Sequence, residues 1–135
     1  MKYVLDTNVV SALMQGRADV VDRLAAVGRT DVSVPQPVIA EIAYGIERLP
    51  RSRRRVALEE RFDLLRSQLI RCPWTDEVSE AFGRIKAALE KRGQRIEDLD
   101  AAIAAHAAAA GATLVTANAR QMARVPGLRI ENWLG

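Results

Sequence analysis

Short apolar runs that stop abruptly at polar residues or proline alternate along this chain with segments whose apolar positions recur at helical spacing. No other feature restricts the fold as much. The first run, Tyr3-Val4-Leu5, ends in Asp6-Thr7-Asn8. Later runs are Val32-Ser33-Val34, closed by Pro35; Leu69-Ile70-Arg71-Cys72, stopped by Pro73; Leu114-Val115-Thr116; and Leu128-Arg129-Ile130. Helical spacing joins Val9, Val10, Leu13 and Met14, then Val20, Val21, Leu24 and Val27 before Gly28. It returns behind Pro37 through Val38, Ile42, Ile46 and Leu49, and again through Leu58, Phe62, Leu65 and Leu69. A helix is predicted from Asp76 to Lys91, and an alanine-rich one, apolar nearly all round and therefore central, from Leu99 to Ala110 with Gly111 as its cap. Strands alternating with helices predict an α/β fold around a mainly parallel sheet.

At 135 residues the chain has the size of one domain, expected to span 1–135. Cys72 is the only cysteine, which excludes an internal disulfide and suits a reducing, cytoplasmic setting. Only three apolar residues follow Lys2 before Asp6 interrupts, so no signal peptide is expected. The uncharged stretch that runs from Ala101 up to Arg120 is too rich in alanine and too interrupted by His106, Gly111, Thr113, Thr116 and Asn118 to cross a membrane. A net charge of +3 is compatible with a polyanionic partner.

In parallel sheets, ligands bind beyond the carboxyl ends of the strands. Asp6 ends the first strand, Glu41 lies in the helix after the second, Asp100 falls in the first turn of the alanine helix, and Asn118 follows the Leu114–Thr116 run. All four are expected at that one end. Each has a plainer reading: Asp6 is either a cap or a ligand, and Asp98 or Asp100 can cap the alanine helix, where a carboxylate contributes roughly 0.3–1 kcal/mol. Taken together, several carboxylates in one partly buried cleft repel by about 4 kcal/mol per close pair at an effective dielectric of about 20. Such a cluster asks for a cation, and ligands that are all oxygen suit Mg²⁺ or Mn²⁺ rather than zinc. His106 lies about 240° around its helix from Asp100, which argues against a catalytic histidine.

Four segments in this order resemble the PIN domain: Val4-Leu5-Asp6-Thr7-Asn8, Val38 through Ile46, Asp100 through Ala107, and Leu114-Val115-Thr116-Ala117-Asn118. Within that family the likeness is to VapC-type toxin endoribonucleases. The resemblance implies a small α/β/α sandwich, Mg²⁺-dependent (or Mn²⁺-dependent) cleavage of RNA, a homodimer, and a cognate antitoxin protein that masks the site. Asp6, Glu41 and Asp100 match the three central acids of the family. Where the family often carries further acids, this chain has the amides Asn118 and Gln121, which bring no charge, and Asp98 is a candidate to restore it.

On that reading the ion sits among Asp6, Glu41 and Asp100, with Thr7, Asn8, Thr116 and Asn118 as hydrogen-bonding support. RNA needs cations around an acidic cleft, and the candidates are Arg51, Arg53, Arg54 and Arg55 in one group and Lys86, Arg92 and Arg95 in another. Val10, Met14 and the first helices are candidates for a dimer or antitoxin surface. Two other readings compete. One is a PIN-like RNA- or protein-binding module whose weakened acidic set holds no metal; the other is an aspartate-nucleophile phosphatase, which wants a second Asp where this chain has Asn8.

Overall fold

The computed structural model describes residues 2–135 and places a five-stranded sheet between two layers of helices. In chain order the elements are β1 (Tyr3–Leu5), α1 (Thr7–Met14), α2 (Ala18–Val27), β2 (Val32–Pro35), α3 (Gln36–Glu47), α4 (Arg53–Gln68) and β3 (Ile70–Cys72). Then follow α5 (Asp76–Lys91), α6 (Asp98–Ala110), β4 (Thr113–Val115), α7 (Ala119–Met122) and β5 (Ile130–Glu131). Every strand pair is parallel, and the order across the sheet is β3-β2-β1-β4-β5.

That order explains the sequence pattern. The inner strands are covered on both faces, so they read as continuous apolar runs instead of alternating ones. Val4 and Leu5, Val32 and Val34, and Leu114 and Val115 are fully buried. The edge strand β3 departs from this: Ile70 and Arg71 are exposed. Parallel crossovers are right-handed. The β1–β2 and β2–β3 connections step one way across the sheet, and the β3–β4 and β4–β5 connections step the other way. Their helices therefore fall on opposite faces, α1 packing with α2, α3 and α4, and α5 with α6.

Helix α6 is the central helix of its layer. Ala101 through Ala107 are all buried, and their small side chains let α6 approach β1, β4 and α5 closely. Gly111 ends it with φ +62°, the left-handed geometry that glycine adopts without strain. Ser52 caps α4 by accepting from the Arg55 amide at 3.2 Å, and Thr75 caps α5 in the same manner at 3.4 Å.

The expected elements are present with shifted ends. β2 extends through Pro35, whose missing amide hydrogen is harmless at a strand terminus. α6 begins at Asp98, one residue before the expected start, and β4 ends at Val115 instead of Thr116. The last strand is Ile130–Glu131 rather than Leu128–Ile130. The single-turn helix α7 and a 3₁₀ turn at Arg29–Asp31 have no counterpart in the apolar periodicity, because neither is long enough to show one. No helix among the described residues is long and apolar enough to cross a membrane.

Candidate active site

The strand order reverses between β1 and β4: the chain leaves β1 toward one face and reaches β4 from the other. At such a switch point the flanking loops diverge and leave a crevice beyond the carboxyl ends of the two strands. Asp6 follows β1 there and Thr116 follows β4.

Asp6 is only 2 % exposed, a depth at which a carboxylate needs partners. It has three. Oδ1 accepts from the Thr7 amide at 2.7 Å; Oδ2 accepts from Thr116 Oγ1 at 2.7 Å and, at a long 3.5 Å, from Asn8 Nδ2. Asp6 is therefore the N-cap of α1 through Oδ1, while Oδ2 takes the bonds from Thr116 and Asn8. Asn8 ties the two loops together, since its Oδ1 accepts from the Ala117 amide at 2.9 Å. Thr116 Oγ1 in turn accepts from the Asn118 amide at 2.9 Å.

Glu41, on the second turn of α3, is half-buried, and its Oε1 accepts from Thr7 Oγ1 at 2.7 Å. Thr7 thus holds one acid through its amide and another through its hydroxyl. Asp100, in the first turn of α6, is pushed up to about 6, first by burial, then by the charges of Asp6, Glu41 and Glu97. Asp6, Glu41 and Asp100 therefore share one electrostatic neighbourhood. Among the described residues, though, no three Asp, Glu, His or Cys side chains converge as a ready-made metal site. Thr116 and Thr7 hold Asp6 and Glu41 in place through their hydroxyls.

The residues fit a hard divalent cation in donor chemistry. The acids are all oxygen donors, and their mutual repulsion at Asp100 is what a cation would relieve. His106 does not belong to the site. It is 2 % exposed within α6, burial pushes it down to about 4, its Nε2 has no hydrogen-bond partner, and Trp74 meets it edge-on at 5.8 Å. Cys72 donates to Ser33 Oγ at 2.8 Å, an internal contact between β3 and β2.

Several sequence candidates take different places. Asp98 is exposed and pairs with Lys86 at 3.0 Å. It does not cap α6 either, because Glu97 holds the capping position, without a side-chain bond. Asn118 caps α7 by position only, its side chain exposed and making no capping bond. Arg55 differs from the neighbouring cations: its guanidinium engages Glu47 and Glu59 and the carbonyls of Glu47 and Leu49. It fastens the end of α3 to the start of α4 and spends most of its donors there. Arg51, Arg53 and Arg54 beside it are exposed, as are Arg92 and Arg95. Val10 is fully buried core, while Met14 borders a groove. Glu97 was not apparent as part of the site from sequence; its position three residues before Asp100 is the one signal that could have pointed to it.

Comparison with known proteins agrees with this fold. The PIN domain family model matches residues 3–128. "Ribonuclease VapC2" of Haemophilus influenzae is 37 % identical over 135 residues, covering 99 % of each chain. "tRNA(fMet)-specific endonuclease VapC" of Salmonella typhimurium is 28 % identical and covers 98 % of each. Among solved structures, VapBC2 from Rickettsia felis bound to a DNA fragment from its promoter superposes with a TM-score of 0.89 at 28 % identity, covering 99 % of this chain and 100 % of that one. With the family model matched along nearly its whole length and relatives collinear from end to end, this chain belongs to the PIN domain family.

Proposed function

We propose that this protein is a Mg²⁺- or Mn²⁺-dependent endoribonuclease and the toxin of a toxin–antitoxin pair. The observation that carries the reading is the acidic crevice at the strand-order switch, where Asp6 is braced by Thr116 and Asp100 feels the charges of Asp6 and Glu41. The similar proteins named as VapC ribonucleases support it.

In this reading Asp6, Glu41 and Asp100 hold the ion. When bound, a divalent cation supplies charge neutralisation at the scissile phosphate and lowers the pKa of a coordinated water. The chain's own residues do the positioning. Thr116 fixes Oδ2 of Asp6, and Thr7 fixes Oε1 of Glu41, so neither carboxylate must be ordered when the substrate arrives. Asn118 presents an uncharged amide at the mouth, suited to orienting a phosphate oxygen or water. Arg51, Arg53, Arg54, Arg92 and Arg95 supply exposed cations for the RNA backbone.

An apolar groove of about 400 Å³ between α1, α2 and α4 suits the antitoxin. Leu13, Met14, Val21, Leu24 and Leu64 line it, and Val21 and Leu64 are exposed, as an amphipathic helix in a groove requires. A homodimer is part of the same proposal, tested by sedimentation.

The purified protein should cleave RNA with Mg²⁺ or Mn²⁺ and lose activity with EDTA and in folded Asp6→Ala and Asp100→Ala variants. Undiminished cleavage in both variants would overturn the site. A second reading, a binding module that holds no metal, draws on the unconverged acids and on Asn118. It prevails if calorimetry finds no Mn²⁺ binding and no RNA is cut.

A further inference from the structure

A polar cleft of about 280 Å³ opens between the first turn of α6 and α7, lined by Arg95, Ile96, Glu97, Asp98 and Gln121. The two helices that border it also carry candidates of the acidic site. Asp100 lies on the same turn of α6, and Asn118, at the start of α7, is three residues before Gln121. Glu97 is the N-cap of α6, three residues before Asp100, so both belong to the same end of that helix. The cleft is small against the roughly 300–1,000 Å³ of sites for drug-sized ligands, a scale that suits a single planar group.

The donors and acceptors are distinct. Lys86 engages Asp98 at 3.0 Å. Glu97 lines the cleft and makes no capping bond, so its carboxylate is not committed to the end of α6. Gln121 offers an amide, Ile96 is a half-buried apolar floor, and Arg95 is 74 % exposed beside a loose 3.9 Å contact to Glu90. A carboxylate presents two parallel acceptors and therefore matches two adjacent donors. On the pairing edges of the RNA bases only guanine has these, N1–H beside N2–H. Adenine and cytosine set a donor beside an acceptor, and uracil sets one donor between two acceptors. A peptide arginine would also match two acids, but the guanidinium of Arg95 in the same cleft repels it and instead suits a phosphate.

We propose that this cleft binds the base of a guanine nucleotide flanking the scissile phosphate, with Glu97 accepting from N1–H and N2–H, Gln121 donating to O6, and Arg95 contacting the adjoining phosphate. The proposal rests on the ribonuclease reading. It makes Glu97 and Gln121 the residues that choose where the RNA is cut.

The test is partial digestion of a random single-stranded RNA pool with Mn²⁺, sequenced at its cut ends. The wild type should cut with guanine enriched at one flanking position. Gln121→Ala should lower that preference about tenfold, the scale of one good base contact. Glu97→Gln should move the preference toward adenine, because an amide donates to N1 and accepts from the N6 amine. A parallel measurement in EDTA compares fluorescence anisotropy for a guanine-containing oligonucleotide and its inosine counterpart, which lacks the N2 amine. The wild type should bind the guanine form more tightly, and Glu97→Gln should not distinguish them. Cutting indifferent to the flanking base, or an unchanged preference in Glu97→Gln, overturns the cleft and leaves the nuclease reading standing. Glu97-dependent binding of an arginine peptide with no guanine preference also overturns it. No cleavage of any RNA, alongside guanine-dependent binding in EDTA, overturns the nuclease reading and upholds the cleft.

Discussion

Thr116 and Asp6 are 110 residues apart in the chain and 2.7 Å apart in the fold, hydroxyl to carboxylate, both buried. The bond spans the two strands where the order reverses, so it braces the crevice and the proposed ligand together. Thr116→Val keeps the shape and deletes the hydroxyl. It leaves Oδ2 of Asp6 without its best partner and the Asn118 amide without an acceptor. We expect a loss of about 1–3 kcal/mol in urea unfolding and weaker Mn²⁺ binding by calorimetry, both restored in Thr116→Ser.

The raised carboxyl of Asp100 has a signed consequence for metal-free protein. Its pKa is about 6 in the fold against the ordinary 3.8. Stability from its protonated form is complete below about 3.8 and lost as pH rises through about 6. In EDTA, Asp100→Asn should therefore gain Tm over wild type between pH 4 and pH 7, the gap widening with pH. A constant gap across that window would contradict the crowding of charge at this residue.

His106 works in the opposite direction. Burial holds it at about 4, below the ordinary 6.5, so its contribution is present above 6.5 and lost as pH falls through 4. His106→Leu removes the unpartnered Nε2 while keeping apolar volume. Acid unfolding of the variant should begin at lower pH than in wild type, with cleavage near neutrality retained.

Two kinds of arginine at the start of α4 should separate in experiment. Arg55→Ala breaks the tie between α3 and α4 and should cost about 1–3 kcal/mol in stability, since the acceptors it leaves include charged groups. Arg53→Ala and Arg54→Ala should leave Tm unchanged. Each should instead lower RNA affinity and shallow the slope of log K against log salt by about 0.7 for single-stranded RNA. If Arg55→Ala changed the salt slope and not the Tm, its structural assignment would be wrong.

The legible parts of this chain are those where one physical signal dominates. Val4-Leu5 and Leu114-Val115 read as strands because burial on both faces leaves no polar positions. Ala101 through Ala107 read as a central helix for the same reason. The placement of Asp6, Glu41 and Asp100 at one end of the sheet followed from strand polarity alone. Partnerships between distant side chains were not legible. Arg55 sits in a basic run and looks solvated, yet its partners are in α3 and its own helix. Asp98 and Glu97 differ only by one helical position, and which of them meets Lys86 depends on how α5 lies against α6. Periodicity reports which face of an element is apolar; it does not report what stands opposite a charged side chain.

The order of the strands also sets an order in time. Asp6, Glu41 and Asp100 all leave the ribosome before Thr116, and β4 must insert beside β1 before the hydroxyl can reach the first acid. A nascent chain stopped short of β4 would carry every proposed metal-binding carboxylate and none of the seam that aligns the first of them. The proposed activity would thus be tied to completion of the domain.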